Sequence, residues 1–309
     1  NSELATRKLQ LLKIFMATSL KYYNRAKGIL EEEKVLGDSL LRFAYTNPLG
    51  KILHIPLFAS AFFSRLLGYY ADSGISRKRI AKTIEQLEID MSEFELPAEG
   101  FRTFNDFFTR KLKAGSRSIA TAANSLISPA DCRLLVYPKL SGDTCIPVKG
   151  KDFTVRELLG NNEKALAEEF ENGSLCICRL CPADYHRYHF PDDGELLKNW
   201  QMKGKYHSVS PIATTQNIKA FTENYRQNSL LQLKNFGKMI FCEVGAFAVA
   251  SIVQTCNEKK FHKGQEKGFF AFGGSTIIMV FAENKVKFAE DILQKSAENI
   301  ECLVKMGEE

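Results

Sequence analysis

From residue 125 onward the chain is written in short apolar segments, and this constrains its fold more than any other feature. "SLISPADCRLLVYP", "GSLCICRLCP", "KMIFCEVGAFAVASIVQT" and "GFFAFGGSTIIMVF" are rich in β-branched and aromatic residues and bounded by Gly, Pro, Asn or Asp. Segments of this kind read as strands, and the Pro-Asp-Asp-Gly of "YHRYHFPDDGEL" reads as a turn between two of them. Upstream the texture differs, and residues 5–120 read as mostly helical. "RKLQLLKIFMATSLKYYNRAKGILEEEKVL" is made of helix formers with little Gly or Pro. "SRKRIAKTIEQLEID" opens on a Ser cap and repeats apolar residues three and four apart, and "TFNDFFTRKLKAGSR" has Gly115 as a stop. Residues 163–171 and 287–305 read as helices inserted in the strand-rich part. The expected fold class is α+β: an N-terminal helical region over residues 1–120, then a mainly antiparallel β domain over residues 121–309. No internal repeat, low-complexity linker or sharp boundary divides them.

A length of 309 residues with 45% hydrophobic content is enough for one large core or two modest ones. Forty-two Lys and Arg against 36 Asp and Glu leave a net charge of +6. That balance suits an anionic membrane surface or an acidic ligand. No Lys/Arg-dense stripe or RNP-like run supports nucleic acid. The eight cysteines are irregularly spread through a chain too long to need staples, which reads as free thiols in a reducing compartment. No basic-then-apolar signal peptide is visible, and no segment reaches the ~20 apolar residues of a membrane span. The nearest is "PLFASAFFSRLLGYY", residues 56–70. On a helix, Phe58, Phe62, Phe63, Leu66, Leu67, Tyr69 and Tyr70 fall on one half, with Ser60, Ser64 and Arg65 on the other. Two readings stay open for it: a helix packed on the core, or one lying in a bilayer interface.

Few residues can do acid–base or nucleophilic chemistry here. Five histidines exist, and His186 and His189 sit three apart in "CPADYHRYHFP" beside a turn. Cys176, Cys178 and Cys181 lie just before them, and thiolates with imidazoles are zinc's preferred ligands. But "SLCICRL" alternates as a strand, which turns Cys176 and Cys178 to one side as small hydrophobes, and the spacing matches no structural zinc pattern. No metal is expected. Asp131 ends an apolar run in "ISPADCR", a place where a carboxylate can cap a turn or orient an imidazole. The sharpest anomaly is Gly273-Gly274-Ser275-Thr276 in the middle of the most strand-like segment, since glycine weakens a strand. The surroundings lack the G-x-S-x-G elbow of many hydrolases. A glycine carbonyl carries no side-chain shield, and a Gly-Gly step lets the backbone bend so that the next hydroxyl reaches it. Attack by Ser275 on the carbonyl of Gly274 would turn an amide into an ester and cut the chain there. A serine in a Gly-rich hairpin can equally be a turn residue.

Taken together, "TFNDFFTRKLKAGSR", "ISPADCRLLVYP", "CPADYHRYHFPDDG", "YHSVSPIA", "EVGAFAVASI" and "KGFFAFGGSTIIMVF" resemble the phosphatidylserine decarboxylases, in that family's order and spacing. GGST in place of LGST resembles its GGST-bearing branch. The resemblance implies a proenzyme that cuts itself between Gly274 and Ser275. Residues 1–274 would form a β chain and residues 275–309 an α chain, held together by the buried strand. Ser275 would become a covalently bound pyruvoyl group. Its carbonyl would take up the substrate amine as a Schiff base, so that phosphatidylserine loses CO2 to give phosphatidylethanolamine. By the same resemblance Asp131 and His189 complete a triad with Ser275, His189 being the base for self-cleavage, and His186 serves decarboxylation by returning a proton.

The family implies phosphatidylserine in an anionic membrane surface as partner. Together with the free thiols and the amphipathic stretch at residues 56–70, this reads as a peripheral membrane protein facing a reducing, cytoplasmic compartment, with Phe58, Phe62, Phe63, Leu66 and Leu67 touching the bilayer; a homodimer is among the assemblies allowed. The sequence departs from the pattern at Cys132, where many relatives have Gly, and in ending at "VKMGEE". Three alternatives stay open: decarboxylation of free aromatic amino acids, a serine hydrolase that does not cut itself, and a non-enzymatic lipid-binding protein.

Overall fold

The computed structural model describes residues 20–34, 36, 43–45, 47–53, 59–140, 146–148, 151–210, 219–246, 252–273 and 275–309. His54, Phe58, Cys145, Gly274 and the start of the first expected helix lie outside these residues.

The N-terminal part holds strands β1 (Lys21–Asn24) and β2 (Ile29–Glu32), then helices α1 (Pro48–Leu53), α2 (Ala61–Ala71), α3 (Ile80–Leu87) and α4 (Phe104–Phe108). Strands β3 (Cys132–Tyr137), β4 (Ile146–Val148) and β5 (Lys151–Phe153) follow, with helices α5 (Val155–Leu159) and α6 (Lys164–Glu168). Next come β6 (Ser174–Leu180), β7 (Arg187–His189), β8 (Gly194–Met202), helix α7 (Ala220–Glu223), β9 (Arg226–Leu233) and β10 (Gly237–Gly245). The chain closes through β11 (Ile252–Gln254), β12 (Lys260–Phe261), β13 (Glu266–Phe270), β14 (Ser275–Phe281), helix α8 (Glu290–Ala297) and β15 (Glu301–Val304). The architecture is α+β, as expected from the pattern of segments.

Ten strands form one sheet in the order β12-β8-β9-β10-β14-β6-β3-β15-β1-β2, antiparallel except where β1 runs parallel to β15. A second sheet, β11-β13-β7, lies over one face of it. Strand β14 is central and buried throughout. Its side chains alternate between faces. Ile278 and Val280 join Leu175, Ile177 and Ile240 in one core, which α5 closes with Leu158 and Leu159. Ile277, Met279 and Phe281 join Cys176, Cys178, Met239 and Phe241 in the other, closed by Tyr188 and Phe270 of the small sheet. A strand covered on both faces needs apolar residues at every position, which is why this segment reads as an unbroken run. Cys176 and Cys178 face one side as small hydrophobes, as their alternation predicts.

The structure corrects several local readings. Residues 21–32 form a hairpin where helix was expected. The hairpin turns at Gly28, whose φ of 69° suits glycine, and its tertiary partners override local propensity. Strand β1 pairs with β15, the Arg133 guanidinium lies 4.1 Å from the Tyr22 ring centre, and Arg179 holds both Glu33 and Glu301. Ser76 does not cap a helix. It is buried in a 3-10 turn, where its hydroxyl reaches the carbonyls of Ala71 and Ser73. Helix α4 stops at Phe108, well before Gly115, as Arg110 turns inward to the carbonyls of Phe107, Ala183 and Asp184. The helix expected over residues 287–305 covers only α8, and β15 takes the rest.

Candidate active site

Ser275 is the first residue of β14, opposite Gly245 of β10 and Leu180 of β6. Alternation puts its hydroxyl on the face of Ile277 and Met279, toward the small sheet. The side chain is fully buried, and its Oγ has no hydrogen-bond partner among the described residues. The same holds for Thr276 Oγ1 and His186 Nε2. Buried polar groups are nearly always paired, so these atoms are candidates for chemistry, together with others on other strands such as Ser174 Oγ, Ser229 Oγ and Glu243 Oε2. Just before this strand Gly273 has a φ of 141°, a conformation that favours glycine.

His186 follows a tight turn in which the Cys181 N–H donates to the Asp184 carboxylate. Its Nδ1 lies 2.9 Å from the Asp184 carbonyl, an acceptor only, so Nδ1 carries the proton and Nε2 presents a lone pair. The ring packs tilted against Phe108, with centres 3.8 Å apart, and the main-chain carbonyl of His186 accepts from Phe270 N–H. Burial, with the Arg110 charge nearby, lowers its pKa to about 3, so the imidazole is neutral at physiological pH. In chain alternation it shares the side of Tyr188, which packs on Phe241 and Phe270 in the core beneath Ser275's face.

His189 alternates with Tyr188 and so shares the side of Arg187. Its Nδ1 donates to the Gly264 carbonyl at 2.9 Å, and its Nε2 accepts from the Tyr185 hydroxyl at 3.1 Å. Burial lowers its pKa as well. Its main-chain N–H donates to Pro129 O, which brings the turn carrying Asp131 beside it. Asp131 itself is buried. It accepts from Arg117 Nε at 3.0 Å and Nη2 at 2.6 Å, from Lys305 Nζ at 3.1 Å and from Met306 N–H at 2.9 Å. Burial works to raise its pKa, but the Arg117 hydrogen bonds and the Lys305 charge outweigh it and hold the group ionised below the usual carboxylate range. Asp131 and His189 are thus neighbours through the main chain, while the hydrogen bonds of both side chains go to other residues.

Three of these partners were not foreseen. Arg117, Lys305 and Tyr185 all lie inside segments singled out in the sequence, but nothing local marks them as partners of Asp131 or His189. Cys132, the departure from the family pattern, is accommodated as the buried first residue of β3, opposite Val304. The terminal "MGEE" is part of the same region: Gly307 N–H donates to Ser128 O, and Ser128 N–H to Glu308 O.

Helix α2 begins at Ser60, whose hydroxyl accepts from Phe63 N–H. Its inward face is small: Ser64, Gly68 and Ala71 are buried. Phe62, Leu66, Tyr69 and Tyr70 are exposed, and Phe63 and Leu67 are half-buried. Exposed Ile75, Arg77, Lys78 and Arg79 continue this surface. Among the described residues no helix is long and apolar enough to cross a membrane.

The structure thus has a buried serine at the head of the central strand of its large sheet, with two buried histidines carried by the smaller sheet and the turn before it. The family is defined by comparison: the chain belongs to the phosphatidylserine decarboxylases, pyruvoyl-dependent lyases made as proenzymes. The family model described as phosphatidylserine decarboxylase matches residues 104–309. A phosphatidylserine decarboxylase proenzyme of Clostridium botulinum is 44% identical over 290 residues, covering 94% of this chain and 98% of its own. Those of Clostridium tetani and Fusobacterium nucleatum are 43% and 41% identical, with 97% and 96% of their lengths covered.

Proposed function

We propose that this chain cuts itself at Gly274–Ser275, carries the resulting pyruvoyl group at residue 275, and decarboxylates phosphatidylserine at an anionic lipid surface. The observation that carries the reading is the buried, unpartnered hydroxyl of Ser275 directly after a Gly-Gly step. A base takes the Ser275 proton, Oγ adds to the Gly274 carbonyl carbon, and the C–N bond breaks to leave an ester and a free amine. Loss of the α proton then expels the Gly274 carboxylate and leaves a dehydroalanine, whose enamine hydrolyses with release of ammonia. The burial of residue 275 and the neutral imidazole of His186 in the layer over its face support this reading. The pyruvoyl carbonyl supplies the electron sink for loss of CO2.

The family resemblance assigns the first proton transfer to His189, oriented from the Asp131 region, and the later protonation to His186. For His189 to act on Ser275, its Nε2 must exchange the Tyr185 hydroxyl or pass the proton through it. The free lone pair on His186 Nε2 favours a second reading, in which His186 is also the base for self-cleavage. Asp131 is kept ionised by Arg117 and Lys305 and contributes a fixed negative charge near both rings.

Residues 1–120 supply the lipid-facing surface in this account, with Phe62 and Leu66 entering the interface, Phe63 and Leu67 at its edge, and Arg77 to Arg79 meeting anionic headgroups. The free thiols of the described cysteines support a reducing, cytoplasmic side. The reading is tested by product analysis. Vesicles containing phosphatidylserine should yield CO2 and phosphatidylethanolamine, and free tryptophan should yield nothing. CO2 from tryptophan alone would move the chain to the aromatic amino acid alternative. An uncut chain that labels at Ser275 with a fluorophosphonate would make it a hydrolase.

A further inference from the structure

Helix α4 is only five residues long, yet it touches the reaction centre from two directions. Its start is fixed by a capping box: Thr103 Oγ1 accepts from Asp106 N–H, and the Asp106 carboxylate accepts from Thr103 N–H. Phe108 packs tilted against His186, with ring centres 3.8 Å apart. Phe104 and Phe108 grip the ring of Phe272 edge-on, at 4.9 Å and 5.4 Å. Between them Asn105 accepts the Phe272 N–H through its side-chain Oδ1 at 2.9 Å. Phe272 is two residues ahead of Gly274 and precedes the flexible Gly-Gly step, so it is the last residue with a side chain by which the segment before Ser275 can be held.

An asparagine amide can present either its oxygen or its NH2 to a backbone N–H, and only the oxygen bonds it. Here the choice is enforced. Asn105 Nδ2 donates to Asp72 Oδ1 at 2.7 Å, which turns Oδ1 toward Phe272. Asp72 follows the last residue of α2, and the same end of α2 is tied to α4 a second time, since the Ser76 hydroxyl contacts the Ala71 carbonyl and accepts from Phe104 N–H at 2.8 Å. The helix bearing Asn105 is therefore bolted in place before the Gly-Gly step begins.

We propose that Asn105 is a positioning residue for self-cleavage: it fixes the backbone at Phe272, with its amide oriented by Asp72, so that the Gly274 carbonyl is presented to Ser275. The inference rests on the self-cleavage reading above. An attack of this kind depends on near-contact geometry, and displacement by about 1 Å can cost on the order of a hundredfold in rate.

The test follows cleavage of freshly translated chain over time, by appearance of the fragment that begins at residue 275. Asn105→Leu keeps the size and removes the acceptor, and it should cleave at least about tenfold more slowly, equivalent to about 1.4 kcal/mol in the barrier. The exchanged pair Asp72→Asn with Asn105→Asp restores every bond, since Asn at 72 donates to a carboxylate at 105 that still accepts from Phe272. It should cleave within about threefold of the parent, an equivalent of about 0.7 kcal/mol. Thermal unfolding of both variants in a Ser275→Ala background separates folding from cleavage. If Asn105→Leu cleaves at the parental rate, or if the exchanged pair stays as slow as Asn105→Leu while matching the parent in thermal unfolding, the positioning role is overturned. If the parent itself never cleaves, the self-cleavage reading fails instead.

Discussion

Changing Phe62 and Leu66 to Asp together separates lipid docking from folding. Phe62 is 78% exposed and Leu66 52% exposed, so most of one side chain and half of the other are left in water by the fold. Burying a whole Phe or Leu side chain is worth about 1.5–3 kcal/mol, which leaves about 2 kcal/mol for Phe62 and about 1 kcal/mol for Leu66 to gain on entering an interface. Each new carboxylate then meets anionic headgroups at a cost of about 1 kcal/mol. The sum, about 5 kcal/mol, corresponds to a fall in vesicle affinity of roughly several thousandfold. Because Phe62 is mostly and Leu66 half in water, stability should change by no more than about 1–2 kcal/mol. The assay is co-flotation with phosphatidylserine vesicles beside urea unfolding without lipid, both in a Ser275→Ala background. Unchanged flotation would refute the docking role. A loss of several kcal/mol of stability without lipid would show that these side chains pack inside the protein, contrary to the small inward face of Ser64, Gly68 and Ala71.

Other consequences can be checked in the same uncleavable background or beside it. His186 has its pKa lowered to about 3 from 6.5, so below pH 6.5 the unfolded chain binds a proton that the folded chain refuses. Stability should therefore fall with acidity at about 1.4 kcal/mol per pH unit from this group, or 2–3 kcal/mol between about pH 6 and pH 4. His189 acts in the same direction, and Asp131 does so only lower, as pH falls through the ordinary range of an unfolded Asp. His186→Asn should flatten the slope, and an unaltered pH profile would contradict the buried, neutral assignment. Arg117→Met leaves a buried Asp131 with only Lys305 and the Met306 N–H and should cost about 3 kcal/mol in urea unfolding; a neutral result would mean that Asp131 is not charged as described. His189→Ala should leave the chain uncut, whereas His186→Ala should cut and then fail to release CO2. An uncut His186→Ala beside a His189→Ala that still cuts itself and releases CO2 would select the second reading of the two histidines.

What the chain disclosed in advance was whatever its local chemistry determines. Strand β14 announced itself because both of its faces are covered, and Ser275 stood out because a Gly-Gly-Ser step interrupts that apolar run; the expected mid-strand position is corrected, since β13 ends at Phe270 and Ser275 opens β14. The N-terminal hairpin did not, since "KYYN" and "ILEE" are held by Arg133, Arg179 and β15, which are remote in sequence. For α2 the existence of a helix was legible and its orientation was not. Its wide apolar half resembles a core face, and only the close approach allowed by Ser64, Gly68 and Ala71 shows which side is inward. Asp131 was found by its motif, but its partners Arg117 and Met306 meet it through folding of the chain end around residues 128–131.

Intact mass after denaturation tests the central claim most directly. Self-cleavage predicts that the 34.9 kDa chain gives a fragment of 35 residues, 275 to 309, of about 4 kDa, and a complementary chain ending at Gly274. The small fragment should have a blocked N-terminus that reacts with hydroxylamine or borohydride, as a pyruvoyl carbonyl does. A single species of 34.9 kDa with an unmodified Ser275, persisting after prolonged incubation of the folded protein, would contradict the account.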